Sequence, residues 1–496
     1  MKTKIFLSVF TIAALLSVSI PAVYAAGNEA AVYSDGALLE EYETFEEAAA
    51  AANSVEGGSI ELRLLEDAEL EETVAVTRPM TITSDDTQSP KTISYEINNH
   101  PYLLNIMSDG VLLKDIIIDG GSENGITAQR ALIAVSSGSL SIGDGAYIQN
   151  NNNITVNGAG GGICLISGSI VMSGGALRGN TAYAGGGAAI VSSASNSFVM
   201  TGGEITSNTS NSNNGLYSGG GVYAEAGLFT LDGGSVHNNN SALFGGGFMI
   251  RGSSARIEIK SGTVNGNTAA LMGGGAVLQL GAVEISGGEI SGNTAETYYG
   301  GGMVILPDVN NVLTLSGAPV IKNNISGAER TEDDLYIDGT QGSILSKINI
   351  NGSLEGADIG LTSYITPEAG NALELLSSSD GTDLDSTALD ALTLQNDGYK
   401  LIYNNGNIEM IKCENALLLN GDALKFVCMD SSAMIVLAGY LDGVLIDSVL
   451  LPAQEYSEAS ISSMITDEAD TIKAFMWNAD QSPLCSAVST THSSIQ

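Results

Sequence analysis

The residues best suited to chemistry are charged side chains near the middle of the chain. Arg256, Glu258 and Lys260 occupy every second position, and alternate residues of a β-strand share one face. Alignment of the surrounding repeats places Asp232 beside Lys260 and Glu284 beside Glu258. Acids next to Arg256 would suit a lyase-like site, in which a basic residue removes a proton. The alternative, which we favour, is a solvent-exposed ladder of cross-strand charge pairs.

Other catalytic arrangements have little support in the sequence. Asp333 and Asp334 are adjacent, and neighbouring residues of a strand point to opposite sides. The three histidines are isolated, which argues against zinc chemistry and histidine-based catalysis. Residues from different turns of a repetitive fold could still converge. We predict no resident cofactor or metal, although the acidic chain could also bind divalent cations such as Ca²⁺.

Two further sets of residues would suit a binding surface. Aromatic residues precede several of the glycine triplets described next, and stacked aromatics can bind sugar rings. They are Tyr183, Tyr217, Phe244, Tyr298 and Tyr299. A second column lies two residues after each triplet and is apolar where strand alternation predicts an outward face. It comprises Cys164, Ala189, Tyr223, Met249, Val277 and Val304. This face is covered by a partner or by the protein's own loops, unless both columns are ordinary turn packing.

A recurring triple glycine marks the repeat whose strands and turns must position these residues. It recurs 25 to 34 residues apart, at 160–162, 185–187, 219–221, 245–247, 273–275 and 300–302. Such a period indicates stacked supersecondary units. Between triplets, apolar residues alternate with polar ones as in a strand, ahead of a pair of small residues.

An asparagine column marks a further turn, at Asn180, Asn208, Asn239, Asn267, Asn293 and Asn323. Asparagine tolerates the left-handed conformation, and its amide can bond to the next asparagine of the stack. Three short strands and three turns per repeat predict an all-β chain that forms a right-handed parallel β-helix. From Ile60 to Ile411 it would contain about 14 coils.

The rest of the chain divides into short segments. We predict a signal peptide at 1–25, an N-terminal cap at 26–59, the β-helix at 60–411 with marked repeats at 160–330, a C-terminal β module at 412–490 and a tail at 491–496. Thr44 to Glu47 has the capping-box pattern of a helix that could cover the open end of the solenoid. The C-terminal module resembles a small β-sandwich with Trp477 in its core.

The composition restricts partners and compartment. The formal charge of −38 disfavours nucleic acid and anionic membranes as partners. Its simpler explanation is the solubility of a secreted protein. We predict an extracellular monomer without membrane insertion. One disulfide could form among Cys413, Cys428 and Cys485, and the pairing stays open.

The repeat resembles known secreted proteins. Its pattern of a glycine triplet, then Ser-Gly-Gly, an aliphatic residue and Asn-Thr, is similar to right-handed parallel β-helices of the pectin lyase-like superfamily. It looks most like cell-surface members in clostridia-like bacteria, and it resembles repeats of chlamydial polymorphic membrane proteins. The resemblance covers about residues 30 to 411 and is weak for function. We expect a non-catalytic protein for adhesion or binding of glycans or surface proteins; the alternative is an extracellular polysaccharide lyase or glycoside hydrolase.

Overall fold

Stacked parallel strands form a β-solenoid of about 11 turns, as the repeat predicts. The computed structural model describes residues 27–95, 98–213, 217–339, 346–379, 384–420, 422–452, 454 and 456–491. The predicted signal peptide and residues 492–496 of the predicted tail lie outside this part of the chain. The prediction of about 14 coils is too high. Leu104 pairs with Ile133 and Ile133 with Ile163, so these coils are 29 and 30 residues long rather than about 25.

Each turn contributes one strand to each of three parallel sheets. The first sheet follows the glycine triplets: Val74–Val76, Leu104–Ile106, Ile133–Val135, Ile163–Leu165, Ala188–Ile190, Val222–His237, Phe248–Asn265, Ala276–Ile285, Met303–Ile305, Leu335–Ile337 and Asp358–Ser363. Three of these are long, because the strands beginning at Val222 and Phe248 continue through all three sheets and the strand beginning at Ala276 continues into the second.

The second and third sheets complete each coil. The second adds Ile60–Leu64, Thr81–Ser84, Val111–Leu113, Ser139–Ile142, Ser169–Met172, Ser197–Met200, Val312–Leu315, Lys347–Ile350 and Ala372–Ser378. The third adds Ala68–Leu70, Thr92–Tyr95, Ile116–Asp119, Ala146–Gln149, Ala176–Arg178, Glu204–Thr206, Glu289–Ser291, Val320–Lys322 and Leu392–Leu394. A ribbon of short strands lies at one corner: Thr181–Ala182, Thr209–Ser210, Asn240–Ser241, Thr268–Ala269, Thr294–Ala295, Ile325–Ser326 and Thr331–Glu332.

The asparagine column forms a buried ladder along the solenoid. The backbone N–H and Nδ2 of Asn208 both donate to Oδ1 of Asn239, each at 3.0 Å, and Asn239 donates in the same way to Asn267. In the last repeat, the prediction that Asn323 belongs to the ladder is wrong. Asn324 takes the position instead, because an extra residue at Pro319 pairs Ile321, rather than Val320, with Ile290.

Each glycine of a triplet is needed for a separate reason. The first has a φ between 63° and 85° in all six copies, a region that favours glycine. The second lies against neighbouring rungs, where an added Cβ would be 2.1 to 2.5 Å from a backbone atom. The third faces the ladder, and a Cβ on Gly247 would lie 2.5 Å from the carbonyl oxygen of Gly275.

The apolar column after the triplets is the inner row of a second core. All six side chains are buried although they point away from the solenoid interior. Five of them, all except Cys164, pack in one cluster with residues that precede the triplets, including Ala184, Phe244 and Met272, and Tyr336 extends this cluster. The protein's own turns therefore cover this face, which agrees with the prediction of a cover from its own loops and with the alternative of ordinary turn packing.

Both ends of the solenoid are covered. At the start, Ala30–Ser34 pairs antiparallel with Ala37–Tyr42 and Ile60–Leu64. The helix Phe45–Ser54 packs beside them, and Thr44 Oγ1 accepts from the Glu47 N–H as a capping box predicts. At the other end, Ala372–Ser378, Tyr399–Asn404 and Asn407–Lys412 form an antiparallel sheet. The short 3₁₀ helices are Ser122–Asn124 and Ser386–Ala391.

The C-terminal module is a two-sheet sandwich. One sheet contains Ala416–Asn420, Ala423–Val427 and Tyr456–Ser460, and the other contains Met434–Leu441, Val444–Leu451, Thr471–Trp477 and Val488–Thr491. The prediction that Trp477 forms its core is wrong. Ile472, Ala474 and Met476 face the core, so alternation places Trp477 on the other face, where its ring centroid is 5.2 Å from that of Phe475.

The cysteines of this module are free thiols with different exposures. Cys428 is buried and Cys485 is half-buried, and both pack in the core of the sandwich. Cys413 is exposed.

Candidate functional site

The charged cluster at the middle of the solenoid lies on the outward face of the second sheet. Glu258 pairs in register with Glu284, as predicted. The predicted pairing of Asp232 with Lys260 is wrong: Asp232 lies opposite Ser261, whose hydroxyl donates to Asp232 Oδ1 at 3.2 Å. The reason is a register shift between Leu231 and Asp232.

The geometry of this cluster is that of a surface ion pair. Lys260 Nζ lies 2.9 Å from Glu258 Oε2, and this hydrogen bond raises the pKa of Lys260. A raised pKa keeps the ammonium protonated, which is the wrong state for a base at neutral pH. Arg256 is exposed on the same strand. Arg256, Glu258 and Glu284 line one groove of about 260 Å³, and Asp232 lies close enough to Lys260 to help raise its pKa. The structure therefore brings the predicted charged residues together, but Lys260 is held as an ion-paired ammonium and not as a free base.

Three of the five predicted aromatic residues pack against the protein itself. Tyr183 is buried, and its hydroxyl donates to Asn213 Oδ1 at 2.6 Å. Phe244 and Tyr217 are half-buried against the second core, and the Tyr217 ring is 6.0 Å from that of Tyr223. The aromatic column is therefore not a continuous platform along the solenoid.

The other two aromatic residues form the rim of a groove. Tyr298 and Tyr299 are 47% and 45% exposed, and their ring centroids are 6.2 Å apart. Tyr299 stacks on the buried Tyr336 with centroids 4.6 Å apart and planes 2° apart. The groove has a volume of about 470 Å³, and Asp333 and Gln395 also line it. The position of the tyrosine pair is therefore fixed on one side, because the Tyr299 ring is held by Tyr336.

A buried carboxylate lies at the base of this groove. Asp333 is 5% exposed, and its Oδ2 accepts from the Gly300 N–H at 2.6 Å and the Ser326 hydroxyl at 2.8 Å. Its Oδ1 is shielded from solvent and accepts no hydrogen bond. The nearby Thr362 hydroxyl donates to Gln395 Oε1 at 3.2 Å. Burial raises the pKa of Asp333, and Thr362 is also close enough to lower the pKa of that carboxyl in part. An acceptor of this kind is costly to leave unsatisfied.

Asp334 points to the opposite side, as alternation predicts, and ends the asparagine ladder. Its Oδ1 accepts from the N–H and Nδ2 of Asn324 at 2.9 and 2.8 Å, and its Oδ2 accepts from Gln395 Nε2 at 2.7 Å. Gly360 leaves space for this pair, because an added Cβ would lie 2.1 Å from Asp334 Oδ2. Gln395 therefore links the ladder to the groove.

The sequence reasoning missed Asp333, Tyr336, Thr362 and Gln395 as members of one site. A signal was present in the repeat. Met303 pairs with Leu335, so residues 332–334 occupy the position of the preceding triplet 300–302. Glu-Asp-Asp in place of three glycines is the departure that marks this coil.

Asp334→Asn should change how stability depends on pH. Burial raises the pKa of the Asp334 carboxyl, so its contribution to stability is greatest below the unfolded pKa and is lost as pH rises through the folded pKa. We expect wild type to gain stability relative to the Asn variant when the pH is lowered from about 7 to about 4, measured as urea midpoints.

The control for this measurement is Glu72→Gln, which removes one negative charge at an exposed position in the first coils. It should give no comparable change with pH. A stability difference between wild type and Asp334→Asn that is the same at every pH would contradict the prediction.

Comparison of the sequence with known protein families and with curated proteins finds no match. Over the described residues, no helix has the length and apolar character to cross a membrane. Within the same ranges, no three His, Cys, Asp or Glu side chains are grouped so that they could hold a metal ion.

Proposed function

We propose that this protein is a secreted or surface-displayed, non-catalytic glycan-binding protein whose ligand occupies the groove beside Tyr298 and Tyr299. The observation that carries the proposal is the exposed tyrosine pair above Asp333, a buried carboxylate whose Oδ1 accepts no hydrogen bond. The export of the protein rests on the leader predicted for residues 1–25.

The groove has the two chemical features that sugar recognition requires. Aromatic rings offer flat apolar surfaces for the C–H faces of a pyranose ring. Asp333 and Gln395 supply fixed hydrogen-bonding groups for its hydroxyls, and such groups orient a ligand in a mostly apolar site. Because both are held by contacts within the solenoid, little ordering would be needed on binding.

Tyr299→Ala should weaken glycan binding by at least about tenfold, because the variant loses the stacking surface. A glycan array with the mature protein would identify a bound oligosaccharide, and titration calorimetry would then compare the variants. Tyr147→Ala is the matched control. Tyr147 lies under the Arg178 guanidinium at 4.1 Å in a coil distant from the groove, so its loss should leave affinity unchanged.

Two results would count against the proposal. One is an array on which the folded protein binds no glycan. The other is equal affinity for wild type and Tyr299→Ala, with thermal melting confirming that the variant is folded. Release of reducing or unsaturated sugars from a polysaccharide, abolished by Arg256→Ala, would instead support the lyase or hydrolase alternative.

A further inference from the structure

The groove beside Tyr298 and Tyr299 carries negative charge without a counter-charge. Its described lining includes the carboxylates of Glu329, Glu332 and Asp333 and contains no Lys, Arg or His. Arg330 is adjacent in sequence, but it is exposed and does not line the groove. Such a site repels uronic acids, sulfated sugars and phosphates, because like charges at short range are unfavourable.

The buried carboxylate adds a specific requirement to this general charge. Asp333 Oδ2 already receives two hydrogen bonds, whereas Oδ1 receives none. A neutral donor would satisfy Oδ1. A cationic N–H donor would also offset the cost of burying the charge, and charge-assisted hydrogen bonds are about twice as strong as neutral ones.

The tyrosines favour the same kind of ligand. The outer face of Tyr299 is free for a ligand because its other face stacks on Tyr336, and Tyr298 lies beside it. An aromatic face attracts an ammonium group as well as the C–H groups of a sugar ring. A neutral sugar would gain only stacking and hydrogen bonds in the groove, whereas an amino sugar would also gain the ionic attraction of its ammonium group to the carboxylates.

We infer that the groove selects glycans with free, protonated amino groups, such as oligomers of deacetylated hexosamine. This inference rests on the proposed glycan-binding function and specifies its ligand class. The ammonium would lie between the Tyr298–Tyr299 pair and Asp333. Glu329 and Glu332, both exposed, would add a longer-range attraction that salt screens.

Three matched tetrasaccharides would test the inference: glucosamine, N-acetylglucosamine and glucose oligomers, titrated calorimetrically at about pH 6. The full-length mature protein should bind the glucosamine tetramer at least about tenfold more tightly than the other two. Asp333→Asn should remove this preference, so that the variant binds the glucosamine tetramer no more tightly than it binds the two neutral tetramers. Glu332→Gln, an exposed change that spares the base of the groove, should reduce the preference partially.

Glu72→Gln is the control for non-specific attraction of a cationic oligomer to an acidic protein. This variant carries the same charge change near the other end of the solenoid and should bind like wild type. Equal affinity for all three tetramers, or an unchanged glucosamine preference in Asp333→Asn and Glu332→Gln, would overturn the inference and leave glycan binding intact. Absence of binding to any glycan, on the array as well, would instead remove the proposed function.

Discussion

Asn267→Ala should lower the stability of the solenoid by about 3–5 kcal/mol, a large effect for one substitution. Asn267 is fully buried, and its Oδ1 accepts from the N–H and Nδ2 of Asn239 at 3.0 and 2.9 Å. Its Nδ2 donates to the Val236 carbonyl and to Asn293 Oδ1 at 2.9 and 3.0 Å. Alanine would leave buried donors and a carbonyl unpaired, each at a cost of about 1–3 kcal/mol.

Asn265→Ala is the matched control, two residues earlier on the same chain segment. Asn265 is exposed, and its Oδ1 accepts only a long hydrogen bond of 3.4 Å from the Ser235 hydroxyl. Its removal should change stability by less than about 0.5 kcal/mol. Urea denaturation followed by circular dichroism would compare the two variants. Equal losses would show that the ladder contributes no more than surface asparagines do.

Gly246→Ala should destabilise the fold by at least about 3 kcal/mol, or prevent it from forming. The φ of Gly246 lies outside the left-handed region that favours glycine. The new Cβ, however, would lie 2.4 Å from the Gly274 carbonyl oxygen and 2.6 Å from the Thr268 nitrogen. These are backbone atoms of the neighbouring rung, so relief requires the two coils to move apart.

Alanine substitutions at two other glycines would distinguish this steric clash from the effect of backbone strain. Gly143→Ala should be close to neutral, because the nearest atom would be 3.6 Å from its Cβ. Gly292 has a φ of +64° and open space around it, so alanine there should cost only about 1–2 kcal/mol of left-handed strain. Thermal melting of the three variants should follow this order. A Gly246→Ala variant as stable as Gly143→Ala would contradict the close approach of the coils.

The fold was largely predictable because each coil repeats the same local chemistry. Glycine triplets, alternating strands and asparagines recur in one register, so one coil predicts the next. The errors arose where a residue was added or a strand bulged. Pro319 moves the ladder from Asn323 to Asn324, and a register shift after Leu231 places Asp232 opposite Ser261 rather than Lys260.

The groove was only partly predictable because its residues come from different coils. Tyr298 and Tyr299 belong to the marked repeats, whereas Gln395 is 61 residues from its hydrogen-bond partner Asp334. No short-range pattern joins such positions. Exposure also depends on neighbouring coils, which bury Tyr183 and leave Tyr298 free.

The asparagine ladder has an electrical direction. From Asn180 to Asn324 every side-chain oxygen points toward the preceding coil. Every Nδ2 donates one hydrogen bond to a side-chain oxygen of the following coil and another to a backbone carbonyl of the preceding coil. Amide dipoles aligned in this way add along the axis, as peptide dipoles do in a helix, and they polarise one another. The positive pole falls at Asn324, where the next acceptor is the carboxylate of Asp334. The column thus ends on a negative charge at its positive pole, directly behind the groove.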